Sequence, residues 1–251
     1  MKLHRFLGNF DLSGESARLL DEELLNQLRN VLRLKAGDEI ILNDGRLNEA
    51  IARISVLEKD FADVQILRAA ANQTEPEREM ILYCAILKKE NFELVVQKAT
   101  EIGIKEICPI ITKRTVKLDL NYERLEKIIR ESVEQCGRGC LPVLRRAVKF
   151  EEAILEAKNN DANIIFCAPV DPLIMPTAQE QNGSFSPIRS LSDKLRSKKR
   201  AGIFIGPEGG WDENEIILAK ENGFESASLG RLTLRAETAA IAASYLTCNL
   251  D

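Results

Sequence analysis

The feature that most constrains the fold is an alternation of apolar runs and helical patterns that begins near residue 80. The apolar runs read MILYCAIL, EICPII, LPVLRRAV, NIIFCAPV, AGIFIG and SASLG, and the helical patterns between them cover residues 91–102, 121–136, 150–158, 212–222 and 236–248. Strands that alternate with helices form a mostly parallel sheet covered by helices. Ligands of such sheets bind where loops leave the carboxyl ends of strands. The second part of the chain is therefore predicted to be an α/β domain with its site at that edge.

The first 70 residues show a different pattern of apolar and turn-forming residues. A short strand is expected near residues 3–7, and a helix is expected from about Asp21, where leucines repeat at helical spacing. Asp44 and Gly45 between apolar runs indicate a hairpin, because both residue types tolerate a positive φ. The alternating run FADVQIL adds a strand, and several strands with one helix suggest a small barrel-like β domain. The polar stretch 69–79 is the predicted linker.

Composition excludes several classes of protein. Hydrophobic residues make up 45% of the 251 and charged residues 29%, which is typical of a soluble globular chain. No apolar run approaches the roughly 18 residues of a membrane span, and the amino terminus lacks the apolar region of a signal peptide, so no membrane partner and a cytoplasmic location are expected. The six cysteines form no CxxC pair and His4 is the only histidine, so no metal is expected. A net charge of −4 argues against a protein that binds nucleic acid through its overall charge, but it is compatible with a local basic patch.

One segment interrupts the alternation. Residues 170–200 are polar and contain Pro172, Pro176 and Pro187. A segment of this length without periodicity is expected to be a surface excursion that is mobile or functional.

The stretch FIGPEGGWDENE, residues 204–215, reads as a strand, a turn and a helix start at Asp212, with Glu215 three residues later as in an acidic capping box. Such a junction can hold an anion on helix amides. It matches neither common phosphate loop, since no Lys-Ser/Thr follows the glycines and their spacing is not GxGxxG. From these residues alone, a structural turn and a binding loop are equally supported.

A second stretch that combines charged and apolar residues, LGRLTLRAETAAIAASYL, covers residues 229–246. Two arginines and a glutamate lie among apolar residues at a predicted strand end, which is more polarity than core packing requires. The alternative interpretation is an exposed loop in which Arg235 and Glu237 are solvated. Because both stretches follow late strands of one sheet, they are expected to line one crevice.

Taken together, HRF, LKKENFELVVQKATEIGI, ESVEQCGR, IGPEGGW and LGRLTLRAETAA resemble the 16S ribosomal RNA (uracil-N3)-methyltransferase family of the SPOUT superfamily. The resemblance covers essentially the whole chain, from His4 to the final helix. It implies a PUA-like β-barrel domain for RNA binding at residues 1–72 and an α/β SPOUT methyltransferase domain with a deep trefoil knot at residues 73–251. It also implies S-adenosyl-L-methionine as methyl donor, 16S rRNA or the 30S subunit as substrate, and a homodimer.

The same resemblance assigns the donor site residue by residue. The two glycine- and leucine-rich loops would surround the donor, with the residues after the IIFC run as a third wall. The implied donor-binding residues are Ala168, Pro169, Ile205, Gly206, Glu208, Gly209, Gly210, Leu229, Gly230, Leu232, Thr233 and Leu234.

Chemistry suggests the catalytic residues. Uracil N3 must lose a proton before it attacks a methyl group, and the predicted catalytic domain has no histidine to act as base. The hypothesis is that Arg235, with Arg231 or Arg138, stabilises negative charge on the uracil carbonyls. Glu208 or Glu237 is an alternative base, although either could instead cap a helix or pair with an arginine.

Basic residues near the predicted strand ends are candidate RNA contacts, each with the alternative of a solvated surface charge. They are His4, Arg5, Lys88, Lys89, Lys113 and Arg114, with Arg145 and Arg146 as a further pair.

Three other functions compete with uridine methylation in small-subunit rRNA. The first is a SPOUT methyltransferase that acts on tRNA or a ribose 2′-hydroxyl. The second is a non-catalytic RNA-binding ribosome-assembly factor, which retention of both loops and both arginines disfavours. The third, a nucleotide-hydrolysing enzyme, lacks the lysine and the acidic metal site of phosphoryl transfer.

Overall fold

A computed structural model describes residues 3–116, 119–169, 186–187 and 195–249. The chain forms two compact units. The first comprises the described residues up to Glu75 together with Arg130–Leu141, and the second comprises Pro76–Ile129 with the described residues from Pro142 onward.

The first unit is built on a mixed sheet with the strand order β1-β3-β4-β5-β2. Strands β1 and β3 pair in parallel, and the other neighbours pair antiparallel. Its elements are β1 (His4–Leu7), β2 (Ser16–Leu19), α1 (Glu22–Asn26) with a π-helical turn (Gln27–Val31), β3 (Glu39–Asn43), β4 (Asn48–Leu57) and β5 (Ala62–Ala71).

Local sequence signals account for these elements. Asp21 caps α1, since its carboxylate accepts a hydrogen bond from the Leu24 amide across 2.8 Å. The predicted hairpin joins β3 to β4, and Gly45 adopts a φ of 71° there. One face of the sheet and the helix enclose a core that includes Phe6, Leu28 and Ile40.

Residues 130–141 belong to the first unit through side-chain and backbone hydrogen bonds. The Glu75 carboxylate accepts from Arg138 Nη2 across 2.7 Å and from the Gly139 and Cys140 amides across 3.0 and 3.3 Å. Asn43 Nδ2 donates to the carbonyl oxygen of Arg138 across 2.7 Å. The EQCGR motif therefore completes the first unit, although the sequence places it in the predicted second domain.

The second unit is an α/β structure with helices on both faces of a parallel sheet. Its helices are α2 (Lys89–Ile102), α3 (Tyr122–Cys136, which belongs to the first unit from Arg130 on), α4 (Phe150–Glu156), α5 (Glu213–Glu221) and α6 (Ala236–Cys248). Its described strands are β6 (Glu79–Ala85), β7 (Glu106–Ile111), β8 (Val143–Leu144), β9 (Val148–Lys149), β10 (Ala162–Phe166), β11 (Ser186–Pro187), β12 (Arg200–Ile205) and β13 (Glu225–Ser228).

The described strands are ordered β11-β13-β10-β12-β6-β7-β8, with β9 also paired to β7, and neighbouring strands run parallel. The central strand β6 shows why its sequence is continuously apolar. Met80 and Leu82 face a core with α2, α3 and α6, whereas Ile81 and Tyr83 face a second core with α4 and α5. Both faces are buried, as a central parallel strand requires.

The predicted elements and the observed ones differ in the stretch LPVLRRAV. LPVLRRAV forms the two short strands β8 and β9 instead of one, with Arg145 and Arg146 in the connection between them. Most of the excursion predicted at 170–200 lies outside the described residues.

Candidate functional site

A cavity of about 890 Å³ opens in the second unit at the carboxyl ends of neighbouring strands. The residues that follow β10, β12 and β13 form three of its walls, and Lys88 and Asn91 contribute from the connection between β6 and α2. These strands are adjacent in the order β13-β10-β12-β6. Because parallel neighbours end at one edge, loops far apart in the sequence meet there.

The glycine loop after β12 is fixed by its tryptophan. The indole Nε1 of Trp211 donates to the carbonyl oxygen of Phe166 across 2.8 Å, which ties this loop to the end of β10. Gly206 lies against the indole, so close that an added Cβ would be 3.0 Å from Trp211 Cε2. Gly210 has a φ of 70°, and its amide donates to the Pro207 carbonyl oxygen across 2.9 Å. Glycine is favoured at both positions, at Gly206 because an added Cβ would crowd the indole and at Gly210 because the turn is left-handed.

The helix after this loop begins as predicted. Asp212 caps α5, and Asp212 and Glu215 form the reciprocal capping box. The backbone amide of Lys113 donates to Glu215 across 2.8 Å, and the Lys113 ammonium pairs with Asp212 at 2.9 Å. The hydrogen bond from Lys113 lowers the pKa of the Asp212 carboxyl below its ordinary value. Arg114 Nη1 donates to the Gly209 carbonyl oxygen across 2.9 Å. Two predicted RNA contacts thus hold the glycine loop.

Glu208 projects from the same loop and lines the cavity. Its carboxylate accepts a hydrogen bond from the backbone amide of Lys88 across 3.3 Å. The contact joins the loop after β12 to the connection after β6. Glu208 is therefore a positioned loop residue, and its role as a base stays a prediction.

The leucine loop after β13 supplies the third wall. Leu229, Leu232, Thr233 and Leu234 line the cavity, and Leu232 is 78% exposed. Gly230 is absent from the lining residues, and its φ of 143° serves a turn in which the Ser228 hydroxyl donates to the Gly230 carbonyl oxygen.

The two arginines of this loop are placed differently. Arg235, at the N-cap of α6, lines the cavity with an exposed side chain, whereas Arg231 is exposed and lies outside the lining. Neither guanidinium pairs with a carboxylate in the part of the chain that the structure describes. Arg138 lies in the first unit with its side chain only 5% exposed and paired with Glu75. Of the three predicted catalytic arginines, the structure brings Arg235 to the cavity.

Glu237 lies in the first turn of α6 and also lines the cavity. Only 8% of the residue is exposed. Its Oε2 is buried and has no hydrogen-bond partner among the described residues. The interpretation of a solvated surface glutamate is therefore wrong for this residue.

All the predicted donor-binding residues except Gly230 line the cavity, and their contacts with a donor stay a prediction. Sequence reasoning missed seven of the lining residues, namely Asn91, Phe166, Cys167, Trp211, Ile216, Ala236 and Ala239. Trp211 could have been found, since a single tryptophan follows the glycines directly. Cys167 is partly buried, and this desolvation raises the pKa of its thiol to about 12, which leaves it protonated and unsuited to nucleophilic chemistry.

The remaining predicted RNA contacts divide into exposed side chains and side chains that have a partner within their own unit. His4, Lys88 and Lys89 have exposed side chains. Arg5 pairs with Glu49 at 2.9 Å in the first unit. In the second unit, Arg145 pairs with Glu156, and Arg146 lies 4.1 Å from the centre of the Tyr122 ring.

Two further properties concern the described residues as a whole. No three of their His, Cys, Asp or Glu side chains are grouped to hold a metal ion. None of their helices combines the length and apolar character of a bilayer span.

Comparisons with known proteins agree with this architecture. A family model described as an RNA methyltransferase domain matches residues 73–247, and one described as an RNA methyltransferase PUA domain matches residues 20–67. The ribosomal RNA small subunit methyltransferase E of Rickettsia conorii is 31% identical over 97% of this chain and 94% of its own length.

Solved structures are similar over the full length. A Legionella pneumophila protein in complex with the bound cofactor SAM has a TM-score of 0.82 at 30% identity, covering 98% of this chain and 97% of its own. The Neisseria gonorrhoeae ribosomal RNA small subunit methyltransferase E, bound to S-adenosyl methionine, has a TM-score of 0.78 at 28% identity, covering 97% and 95%. This chain therefore belongs to the RNA methyltransferase family, in the group of the ribosomal RNA small subunit methyltransferase E proteins.

Proposed function

We propose that this protein transfers a methyl group from S-adenosyl-L-methionine to N3 of a specific uridine in 16S rRNA. The observation that carries the proposal is the single cavity onto which the glycine loop and the leucine loop converge. It lies in a chain that is similar, nearly end to end, to methyltransferases solved with the donor bound.

The cavity suits the proposed donor. Its volume falls within the roughly 300–1,000 Å³ of small-molecule sites. Apolar side chains of Ile205, Leu229 and Leu234 face it beside loop backbone, which can hydrogen-bond the edges of an adenine. The donor supplies an electrophilic methyl group on a sulfonium sulfur and carries no phosphate. That chemistry explains a glycine loop without the lysine of nucleotide-binding loops.

Arg235 is the residue we assign to the uracil. An N3 anion shares its charge with the neighbouring carbonyl oxygens, so a cation at the site favours the reactive form of the base. Arg235 lines the cavity, is exposed and lacks a carboxylate partner among the described residues. The position supports Arg235 over Arg231, which lies outside the lining, and over Arg138, whose charge is matched by Glu75.

We also propose a trefoil knot, a homodimer and a cytoplasmic location for this protein. We place the trefoil knot in the loops after β10, β12 and β13, on the strength of the family resemblance. Apolar side chains left exposed on α6, Tyr245 at 59% and Leu246 at 38%, support an interface with a second copy. Light scattering would measure that dimer. Since the proposed substrate is small-subunit rRNA, the proposed location is the cytoplasm.

The test is to incubate the protein and labelled donor separately with small subunits, free 16S rRNA and tRNA from a strain that lacks the enzyme. Label on N3 of one uridine in small-subunit rRNA is the expected result. Subunits from a strain that has the enzyme are the matched control, because their site is already methylated and they should take up no label. Label on tRNA or on a ribose oxygen would overturn the proposed substrate, and donor binding without transfer would favour an assembly factor.

A further inference from the structure

The Glu237 side chain carries a buried oxygen that makes no hydrogen bond in the described fold. Its Oε2 is shielded from solvent and accepts no hydrogen bond among the described residues. Buried polar atoms in folded proteins are nearly always hydrogen-bonded, so an exception requires an explanation. The capping box of α5 shows the contrast, because Glu215, which is equally buried, accepts from the amides of Lys113 and Asp212.

The position of the Glu237 side chain points to a ligand. Glu237 lines the cavity and lies in the first turn of the 13-residue helix α6. The amino terminus of a helix stabilises a negatively charged side chain. Two cations line the same cavity, Lys88 and Arg235, yet neither pairs with Glu237 in the described structure. The cavity wall therefore presents an uncompensated buried carboxylate.

Arg235 and Glu237 differ in their exposure to solvent and therefore in the molecule that each can contact. The guanidinium of Arg235 is exposed and accessible to an RNA base arriving from solvent, whereas Glu237 is 8% exposed. Because Glu237 lines the cavity, the available partner for its carboxylate is the molecule that occupies the cavity, which under the proposed function is the methyl donor.

We infer that Glu237 binds the α-ammonium group of the donor's amino-acid moiety, an inference that rests on the proposed function. The orphan oxygen needs a hydrogen-bond donor, and the ammonium supplies N–H groups together with the matching charge. The sulfonium is also positive but has no N–H to donate. The adenine amino group donates but is neutral, so it would leave the carboxylate charge unmatched. Glu237 is thus a residue that selects the amino-acid moiety of the donor.

The experiment compares wild type with Glu237→Gln by titration calorimetry against three ligands. S-adenosylmethionine carries both the ammonium and the sulfonium charge. S-adenosylhomocysteine keeps the ammonium and lacks the sulfonium charge. 5′-methylthioadenosine keeps the nucleoside and lacks the amino-acid moiety. We expect Glu237→Gln to weaken the first two ligands alike, by roughly 10- to 100-fold, because a hydrogen bond between charged groups is lost. Affinity for 5′-methylthioadenosine should change by less than about twofold.

The matched control is Glu213→Gln, which removes an exposed first-turn carboxylate from α5, outside the cavity. It should leave all three affinities unchanged. The thermal midpoint of Glu237→Gln should be equal to or higher than that of wild type, because Oε2 has no partner in the described fold to lose and an unpaired buried charge is removed. A merely structural glutamate would lower that midpoint.

Each other pattern overturns the inference. Weakening of S-adenosylmethionine alone would assign Glu237 to the sulfonium, and equal weakening of all three ligands would assign it to the nucleoside or to cavity shape. Unchanged affinities would show that the carboxylate does not contact the donor. If wild type itself binds none of the ligands, the proposed function fails and the inference fails with it.

Discussion

Trp211 Nε1 donates a hydrogen bond to the carbonyl oxygen of Phe166 across 2.8 Å, although the two residues lie 45 positions apart. The contact fastens the loop that follows β12 to the end of the neighbouring strand β10. Both residues line the cavity. One hydrogen bond therefore couples the stability of the sheet edge to the shape of the site.

Replacing Trp211 with Phe should remove this bond while keeping an aromatic ring. The Phe166 carbonyl would lose its partner in a buried position, which costs about 1–3 kcal/mol of unfolding free energy. Urea unfolding followed by circular dichroism measures the loss. An unchanged midpoint would mean that the carbonyl finds another partner and that the indole bond does not hold the loop.

Gly206→Ala should weaken donor binding by about tenfold, equivalent to about 1.4 kcal/mol. The new Cβ would lie 3.0 Å from Trp211 Cε2, so the indole that lines the cavity must move. Gly209→Ala is the graded comparison, because its Cβ would meet Arg114 Cβ at an ordinary 3.5 Å. Calorimetry with S-adenosylmethionine ranks the two variants, and a larger loss for Gly209→Ala would contradict the packing argument.

Arg235→Ala should lower the rate of methyl transfer by about 10²–10³-fold and leave donor affinity within about twofold. The reason is that, under the proposed function, the exposed guanidinium stabilises the uracil anion and does not hold the donor. Single-turnover kinetics on small subunits gives the rate, and calorimetry gives the affinity. Arg231→Ala should have the smaller effect on rate, since Arg231 does not line the cavity. An equal loss of rate and donor binding would remove Arg235 from the chemistry.

Arg114→Ala should reduce donor affinity roughly threefold to tenfold in the absence of RNA, because the Gly209 carbonyl loses a hydrogen bond to a charged group. Lys89→Ala is the opposing case, since the exposed Lys89 makes no ion pair with a described residue. That variant should keep donor affinity. It should also reduce the slope of the logarithm of the RNA binding constant against the logarithm of salt concentration by about one, as expected when one phosphate contact is lost. If both variants changed only RNA binding, Arg114 would be a phosphate contact as the sequence predicted.

The stability of the first unit should fall in acid through Glu75. Burial alone would raise the pKa of this carboxyl, but hydrogen bonds from Arg138 and Cys140 and the charge of Arg138 outweigh it and hold the pKa below its ordinary value of 4.5. A depressed folded-state pKa gives stability that is present above the unfolded-state pKa and is lost as pH falls through the folded-state pKa.

Hydrogen exchange of residues 137–141 tests this, because the Gly139 and Cys140 amides donate to Glu75. In wild type, protection should be constant near neutral pH and should decline below about pH 4.5. Glu75→Gln should lose protection at neutral pH, by about 2 kcal/mol, and show little further decline in acid. An identical pH profile in both proteins would exclude Glu75 as the titrating group.

Helices and their caps could be predicted from the sequence because they depend on residues that are close together along the chain. The helical pattern at 236–248 is confirmed as α6 (Ala236–Cys248), and the acidic capping box at Asp212 and Glu215 is confirmed at the start of α5. The alternation of strands and helices also located the site, since the carboxyl ends of parallel strands share one edge. Strand ends were predicted less accurately in the run LPVLRRAV, where charged residues interrupt the apolar pattern and the chain forms two short strands.

Tertiary structure alone decided the partners of individual side chains. Arg138 is 63 positions from Glu75, and no local pattern predicts that ion pair or the assignment of the EQCGR motif to the first unit. The same holds for Arg114 on Gly209 and for the unpartnered Oε2 of Glu237. Periodicity reports which face of an element is apolar, whereas hydrogen bonding between distant segments depends on how the chain brings them together. The sequence thus determined which loops form the cavity, and the fold decided which charges are paired and which carboxylate oxygen is left without a partner in the described structure.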